Sequence, residues 1–218
     1  MSEQLPLVVL ISGSGSNLQA IIDAVATDLP AEIRAVISNK AEAYGLERAR
    51  QAGIETRVLD HTKFDGRDSY DLALGDLIEE YQPGLVILAG FMRILTPSLV
   101  SRFHGRMFNI HPSLLPKFRG LHTHERAIEA GETIHGASVH FVTEELDGGP
   151  LIMQAQVPVL PEDNSDTLAA RVLKREHLIY PTAIRLFAEG AVKMEGDMVY
   201  HNGKPLVSPI FLETEQVT

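Results

Sequence analysis

Leu7-Val8-Val9-Leu10-Ile11-Ser12-Gly13-Ser14-Gly15-Ser16-Asn17-Leu18 sets the pattern of the whole chain. Residues 7–11 are an unbroken apolar run rich in β-branched side chains, as a strand covered on both faces requires. A Gly/Ser loop follows, and then Leu18, Ile21, Ile22 and Val25 recur at the i, i+3, i+4, i+7 spacing of a helix with one apolar face. This is a strand-loop-helix unit, and it repeats. Strands are expected at residues 33–38, 54–59 and 85–89, with helices around residues 44–52 and along Tyr70, Leu74, Leu77, Ile78 and Tyr81. Strict alternation of strand and helix predicts an α/β fold, doubly wound around a mostly parallel, Rossmann-like sheet.

After Leu121 the pattern changes. Residues 137–143 and 151–159 read as longer strands on either side of an Asp-Gly-Gly-Pro turn, which predicts an antiparallel extension of the sheet. A long helix is expected next, with Asn164 and Ser165 as N-cap candidates, Leu168, Val172, Ile179, Ala183 and Phe187 on one face, and a kink near Pro181. Residues 192–194 and 198–201 around Gly196-Asp197 read as a small C-terminal hairpin.

A chain of 218 residues, 44% of them hydrophobic, can bury a substantial core, and a single unit spanning residues 1–218 is expected. The formal net charge of -10 argues against a general nucleic-acid or anionic-membrane surface, because nothing would offset repulsion from phosphates. With no Cys in the chain, disulfides, thiolate catalysis and Cys-ligated metals are excluded. Neither a positively flanked apolar leader nor a membrane-length apolar run is read, so a cytoplasmic location is expected.

Chemistry concentrates at predicted strand ends, where ligands of such sheets gather. In the loop of residues 12–17 two glycines permit close backbone approach, Ser14, Ser16 and Asn17 can donate, and the following helix offers free N–H groups to an anion. Phosphate is the natural guest, although neither a triphosphate-loop Lys nor a third dinucleotide-type glycine is present. Asn109-Ile110-His111-Pro112-Ser113-Leu114-Leu115-Pro116 places an amide and an imidazole on one strand face, fixed by two prolines. Such a pair suits a developing negative charge, with Asn109 donating from its NH2 group and His111 donating as imidazolium. Asp147, in Leu146-Asp147-Gly148-Gly149-Pro150, could hold that imidazolium if the turn approaches it. His122 and His124, with His111, His135 and His140, could in principle ligate a metal. No HExxH or Cys pattern accompanies them, and no metal is expected.

These motifs, together with Ser38-Asn39-Lys40, Ala89-Gly90-Phe91-Met92-Arg93-Ile94-Leu95 and Gly120-Leu121-His122-Thr123-His124, occur in an order that closely resembles the phosphoribosylglycinamide formyltransferases, folate-dependent enzymes of purine synthesis. The His-Pro-Ser-Leu-Leu-Pro block also resembles other formyltransferases that use 10-formyltetrahydrofolate. The resemblance implies formyl transfer from 10-formyltetrahydrofolate to the primary amine of glycinamide ribonucleotide, with Asn109, His111 and Asp147 as the catalytic set. It implies that Gly15, Ser16 and Asn17 hold the nucleotide phosphate and that Glu176 holds the ribose and glycinamide end. It implies further that the pterin inserts against Met92, Arg93, Ile94 and Leu95 and against Thr143, Glu144, Glu145, Leu146 and Asp147, beside Asn109, while Arg67 lies on the folate side. Residues 1–105 would then form mainly the nucleotide-phosphate half and residues 106–218 mainly the catalytic and folate half, in a monomer or homodimer. A hydrolase that hands the same formyl group to water would not need the phosphate loop. Transfer to an aminoacylated tRNA fits poorly with the acidic balance, and a non-enzymatic nucleotide-binding module would leave Asn109, His111 and Asp147 without a shared task.

Overall fold

A computed structural model describes residues 4–212. Eight strands form the main sheet: β1 (Leu5–Ile11), β2 (Ala31–Ser38), β3 (Thr56–Val58), β4 (Leu85–Leu88), β5 (Met107–His111), β6 (Ile134–Phe141), β7 (Leu151–Pro158) and, at the far edge, a two-residue strand Ile210–Phe211. The helices are α1 (Ser16–Thr27), α2 (Gly45–Gln51), α3 (Arg67–Glu80), α4 (Pro97–Arg102), α5 (Thr123–Glu129) and α6 (Ser165–Ala188).

From one edge the order runs β3-β2-β1-β4-β5, all parallel, and continues through β6 and β7 in antiparallel pairing. The chain winds outward from β1 to β3 and returns to the other side of β1 with β4. The topological switch point therefore lies between β1 and β4, where the loops of residues 12–17 and 89–95 emerge side by side.

The apolar run of β1 divides as its alternation demands. Leu7, Val9 and Ile11 point into the core under α1, α2 and α6, and Val8 and Leu10 into the second core under α3 and α4. All five are fully buried, which is why the run is continuous rather than alternating. Leu18 and Ile21 of α1 are buried and Ile22 and Val25 partly so, giving the expected apolar face.

Asn164 caps α6 in a capping box with Thr167, and the helix runs on through Pro181 to Ala188. Proline removes the single bond to the carbonyl of His177. Packing of Leu168, Val172, Ile179, Ala183 and Ile184 into the larger core holds the helix on either side of that gap. Immediately before Pro181, the Tyr180 hydroxyl is fully buried and lies 2.8 Å from the Leu88 carbonyl and 3.1 Å from that of Phe108, tying the end of β4 to β5 beside Asn109.

The C-terminal hairpin is present as Val192–Glu195 paired with Met198–His201, and Lys204–Pro205 adds a third short strand. β3 is shorter than the expected run of residues 54–59. α4 and α5 and the edge strand at Ile210–Phe211 were not expected. For α4 the signal was there: Thr96 accepts from the Leu99 N–H as N-cap, and Pro97 takes the first helical position. No helix among the described residues is long and apolar enough to cross a membrane.

Candidate active site

α1 begins without a side-chain cap, its N-cap Gly15 in the left-handed region at φ 70°. The first intrahelical bond is Gln19 N–H to Gly15 C=O, so the N–H groups of the first turn have no helical partner. Gly15 has a second reason to be glycine. A Cβ there would sit 2.5 Å from the Gly45 Cα, because the loop and the start of α2 pack backbone to backbone, with Gly45 N–H donating to the Gly13 carbonyl. Arg48 Nε donates to the Ser14 carbonyl at 2.9 Å from the same helix. A cavity of about 170 Å³ is lined by residues 12–17 with Ala89, Gly90 and Met92.

Asn17 and Glu176 meet in this region although 159 residues separate them: Asn17 Nδ2 donates to the Glu176 carboxylate at 2.7 Å, both side chains being buried. Burial pushes the Glu176 carboxyl above its ordinary value, against the opposing hydrogen bond from Asn17. A carboxylate only accepts, so the Asn17 amide is oriented with its NH2 toward Glu176, and its Oδ1 is left buried without a partner. The donors this loop can offer a ligand are therefore backbone N–H groups and the Ser14 and Ser16 hydroxyls more than the Asn17 side chain.

Across the switch point, Asn109 and His111 project from the end of β5. Their shared face borders a cavity of about 560 Å³, walled on the other sides by residues 90–94, 120–124, Leu146 and Asp147. A narrower recess of about 110 Å³ adjoins it, bounded by Arg93, Ile94, Leu95 and Asn109 and by residues 142–147. Thr143, Glu144, Glu145, Leu146 and Asp147 thus meet Arg93, Ile94 and Leu95 in one place, while Met92 lies at the junction with the cavity of residues 12–17. Arg67 stands at the exposed start of α3 and is not among the residues lining these cavities.

The Asp147 turn reaches His111. Asp147 Oδ2 accepts from the Gly120 N–H at 2.9 Å and lies 3.4 Å from His111 Nδ1, an ion-pair contact when the ring is protonated. Gly149 must be glycine because a Cβ there would collide with the Phe141 carbonyl, so the turn is pressed against the end of β6. The other ring nitrogen of His111, Nε2, is 2.9 Å from the Phe118 carbonyl. Phe118, Gly120 and His122 all adopt left-handed φ, which winds residues 117–122 tightly enough to bring that carbonyl over the ring.

Several supporting residues had not been singled out for this site. His140, opposite Asn109 in the β5–β6 register, lies 3.2 Å from Asn109 Nδ2. Burial pushes its imidazole down to about 4, so it is neutral at physiological pH. Ser138 accepts from Leu115 N–H, donates to the Ser113 carbonyl and receives Gln154 Nε2, pinning the loop after His111. The alternation of Ser138 with His140 was legible in the sequence, but the antiparallel register that sets them against His111 and Asn109 was not. His124 and His135 contact each other at 3.2 Å. Among the described residues no group of three or more His, Asp or Glu side chains is disposed to hold a metal ion.

The family model described as formyl transferase matches residues 5–184. The chain is 57% identical over 201 residues to phosphoribosylglycinamide formyltransferase of Escherichia coli (strain K12), covering 92% of this chain and 95% of that protein. It is 48% identical over 189 residues to the trifunctional purine biosynthetic protein adenosine-3 of Homo sapiens, covering 86% of this chain and 19% of that longer protein. Among solved structures, the phosphoribosylglycinamide formyltransferase of Coxiella burnetii in complex with CHES superposes with a TM-score of 0.93 at 53% identity, over 97% of this chain and 100% of that one. Glycinamide ribonucleotide transformylase 1 of Symbiobacterium toebii superposes with a TM-score of 0.89 at 46% identity, over 92% and 95%. The chain belongs to the formyl transferase family, among the phosphoribosylglycinamide formyltransferases, and is an enzyme of that group.

Proposed function

We propose that the protein transfers the formyl group of 10-formyltetrahydrofolate to the primary amine of N1-(5-phospho-D-ribosyl)glycinamide in de novo purine biosynthesis. One observation carries the reading: Asn109, His111 and Asp147 converge on a cavity that shares Gly90 and Met92 with the cradle at the uncapped start of α1. A phosphate seated on the N–H groups of Ser16 and Asn17, beside Gly15, would direct the rest of a nucleotide past Glu176 toward His111. The flat pterin would enter the recess between residues 93–95 and 143–147, with Ile94 and Leu95 against its faces and backbone groups reading its edges. Arg67 would stand near the outer end of the folate.

The neutral amine nitrogen attacks the formyl carbon, a C–N bond forms, and the former carbonyl oxygen becomes an oxyanion. Asn109 has one N–H committed to His140 and the second available to that oxygen. His111 Nε2 is occupied by the Phe118 carbonyl, so its donation to the oxyanion begins when the substrate oxygen displaces that carbonyl. Asp147, facing Nδ1, stabilises the imidazolium as charge develops. Collapse breaks the bond from carbon to N10, and the proton lost by the amine ends on N10, through the His111–Asp147 pair or water. No covalent enzyme intermediate is required.

Parallel reactions with 10-formyltetrahydrofolate and either glycinamide ribonucleotide or water, with His111→Ala as control, test the proposal. Product that depends on the nucleotide, with a rate reduced roughly 10²- to 10³-fold in His111→Ala, is expected for loss of a well-placed oxyanion donor. Formate release without the nucleotide would instead make the protein a hydrolase, and binding of both ligands without turnover would make it a non-enzymatic binder.

A further inference from the structure

Of the motifs singled out in the sequence, Ser38-Asn39-Lys40 lines none of the three cavities described above. Its turn is closed locally, with the Ser38 hydroxyl donating to the Lys40 carbonyl at 2.8 Å and accepting from the Lys40 N–H at 3.1 Å. Asn39, between them, is turned inward and only 2% exposed. Its Oδ1 accepts from the hydroxyl of Ser12 at 2.6 Å, and its own carbonyl oxygen lies 3.1 Å from Nδ1 of His61.

Ser12 is the first residue after β1, and its two polar groups reach both neighbouring loops. The Ser12 N–H donates to the Gly90 carbonyl at 3.1 Å, and the Met92 N–H donates to Ser12 Oγ at 2.8 Å. One hydroxyl therefore joins the phosphate-loop strand β1, the turn after β2 and the segment after β4 that walls the larger cavity. Gly90 and Met92 are the residues common to the two cavities, so Ser12 is bonded to the partition between them. The hydroxyl has one proton. With the Met92 N–H filling one acceptor site, that proton is directed to Asn39, and the chain Met92 N–H, Ser12 O–H, Asn39 C=O has a single direction. Ser12 is 6% exposed, so water does not compete for these bonds.

We infer that Ser12 and Asn39 are positioning residues for formyl transfer: their buried hydrogen bond holds Ser12 Oγ in place as the acceptor for the Met92 N–H, and that contact fixes the spacing between the phosphate cradle and the wall of the folate cavity, and so the approach of amine to formyl carbon. Neither residue touches the reacting atoms. A bimolecular transfer between two separately bound ligands is sensitive to such spacing, since misplacement by about 1 Å can cost on the order of a hundredfold in rate. Ser12→Ala leaves the Met92 N–H without its acceptor and Asn39 without its donor, while the backbone N–H groups of the cradle and the side chains lining the recess are unchanged.

The inference rests on the formyl-transfer reading of the site, and its test separates the two. Single-turnover transfer is followed by rapid quench with enzyme in excess over 10-formyltetrahydrofolate and saturating glycinamide ribonucleotide, in wild type, Ser12→Ala, Asn39→Ala, the double variant and Ser12→Thr. With enzyme raised until the rate constant no longer increases, that plateau does not depend on the fraction of enzyme that folds, so a purely structural role would leave it unmoved. Ser12→Ala is expected to lower it by about ten- to a hundredfold. Asn39→Ala should lower it in the same direction, the double variant should be no slower than Ser12→Ala, and Ser12→Thr, which keeps the hydroxyl, should recover most of the rate. A wild-type rate constant in Ser12→Ala, losses that multiply in the double variant, or a Ser12→Thr rate as low as that of Ser12→Ala would each overturn the inference while leaving formyl transfer intact. Absence of transfer by the wild-type protein would overturn both.

Discussion

Asn109 and His140 face each other as a registered pair across β5 and β6, with Asn109 Nδ2 3.2 Å from His140 Nε2. His140 Nδ1 lies 2.8 Å from the Phe141 carbonyl and must carry the proton, which leaves Nε2 as a lone-pair acceptor. The Asn109 amide is thereby oriented with its NH2 group toward His140, and one N–H remains for a ligand. Burial pushes the His140 imidazole down to about 4, so this acceptor persists across the physiological range.

His140→Phe should keep the ring volume and release Asn109. Turnover is expected to fall by about tenfold or more, by analogy with the loss of groups that orient a first contact, while nucleotide affinity changes little. Steady-state kinetics with each substrate varied in turn decides the matter, and an unchanged kcat would show that Asn109 is oriented by other contacts.

Asp147→Asn tests the partner of His111. The amide can still accept from the Gly120 N–H, so the turn survives, but the negative charge 3.4 Å from His111 Nδ1 is gone. We expect a loss in kcat of roughly 10²-fold or more, with the KM for glycinamide ribonucleotide largely kept. Combining it with His111→Ala should cost little beyond His111→Ala alone, because the two act as a unit. Independent, multiplying losses in the double variant would contradict a shared role.

The parallel half of the sheet was legible because its central strands are buried on both faces and α1 carries a clear 3.6-residue periodicity: residues 7–11 and Leu18, Ile21, Ile22 and Val25 suffice to define the first unit. The strand ends that carry the site followed from topology alone, and the nearness of Asp147 to His111 from recognisable motifs. What the sequence concealed is register and loop conformation. Nothing in a one-dimensional pattern sets His140 opposite Asn109, commits the Asn17 amide to Glu176, or lays the Phe118 carbonyl against His111 Nε2. The short elements also escaped. α5 lacks a side-chain N-cap and starts from a left-handed His122, so neither of the usual start signals was available.

Acid sensitivity should arise where the start of α5 meets the start of β6. Burial pushes His135 down to about 4, helped by the His124 imidazole 3.2 Å away, and burial together with the nearby His111 lowers His124 as well. An unfolded histidine titrates near 6.5, so between about 6.5 and about 4 the unfolded chain binds more protons than the folded one. The stability contributed by the neutral pair is therefore complete above about 6.5 and is lost as the pH falls toward 4. Urea-denaturation midpoints should decline from pH 7.5 to pH 5, and His135→Gln should flatten that decline. A midpoint in the variant that falls as steeply as in wild type would place the acid sensitivity elsewhere.

Glu176→Gln should separate stability from function. Burial raises the Glu176 carboxyl above its ordinary value, so the folded state prefers the protonated form relative to the unfolded chain, whose carboxylates titrate near 4.3. For a group raised in this way the favourable contribution is full below the unfolded value and disappears as pH rises through the folded one, so at pH 8 the charged side chain is a burden on the fold. Glutamine keeps an acceptor for Asn17 Nδ2 and removes the buried charge. The variant should accordingly melt at a higher temperature than wild type at pH 8, with a smaller difference at pH 5, while its KM for glycinamide ribonucleotide rises because a neutral amide accepts more weakly from ribose hydroxyls and the glycinamide end. Calorimetry at the two pH values and initial rates at pH 8 test both halves. A lower melting temperature at pH 8 would mean that Glu176 is held charged by interactions stronger than its single hydrogen bond to Asn17, and an unchanged KM would remove it from the nucleotide site.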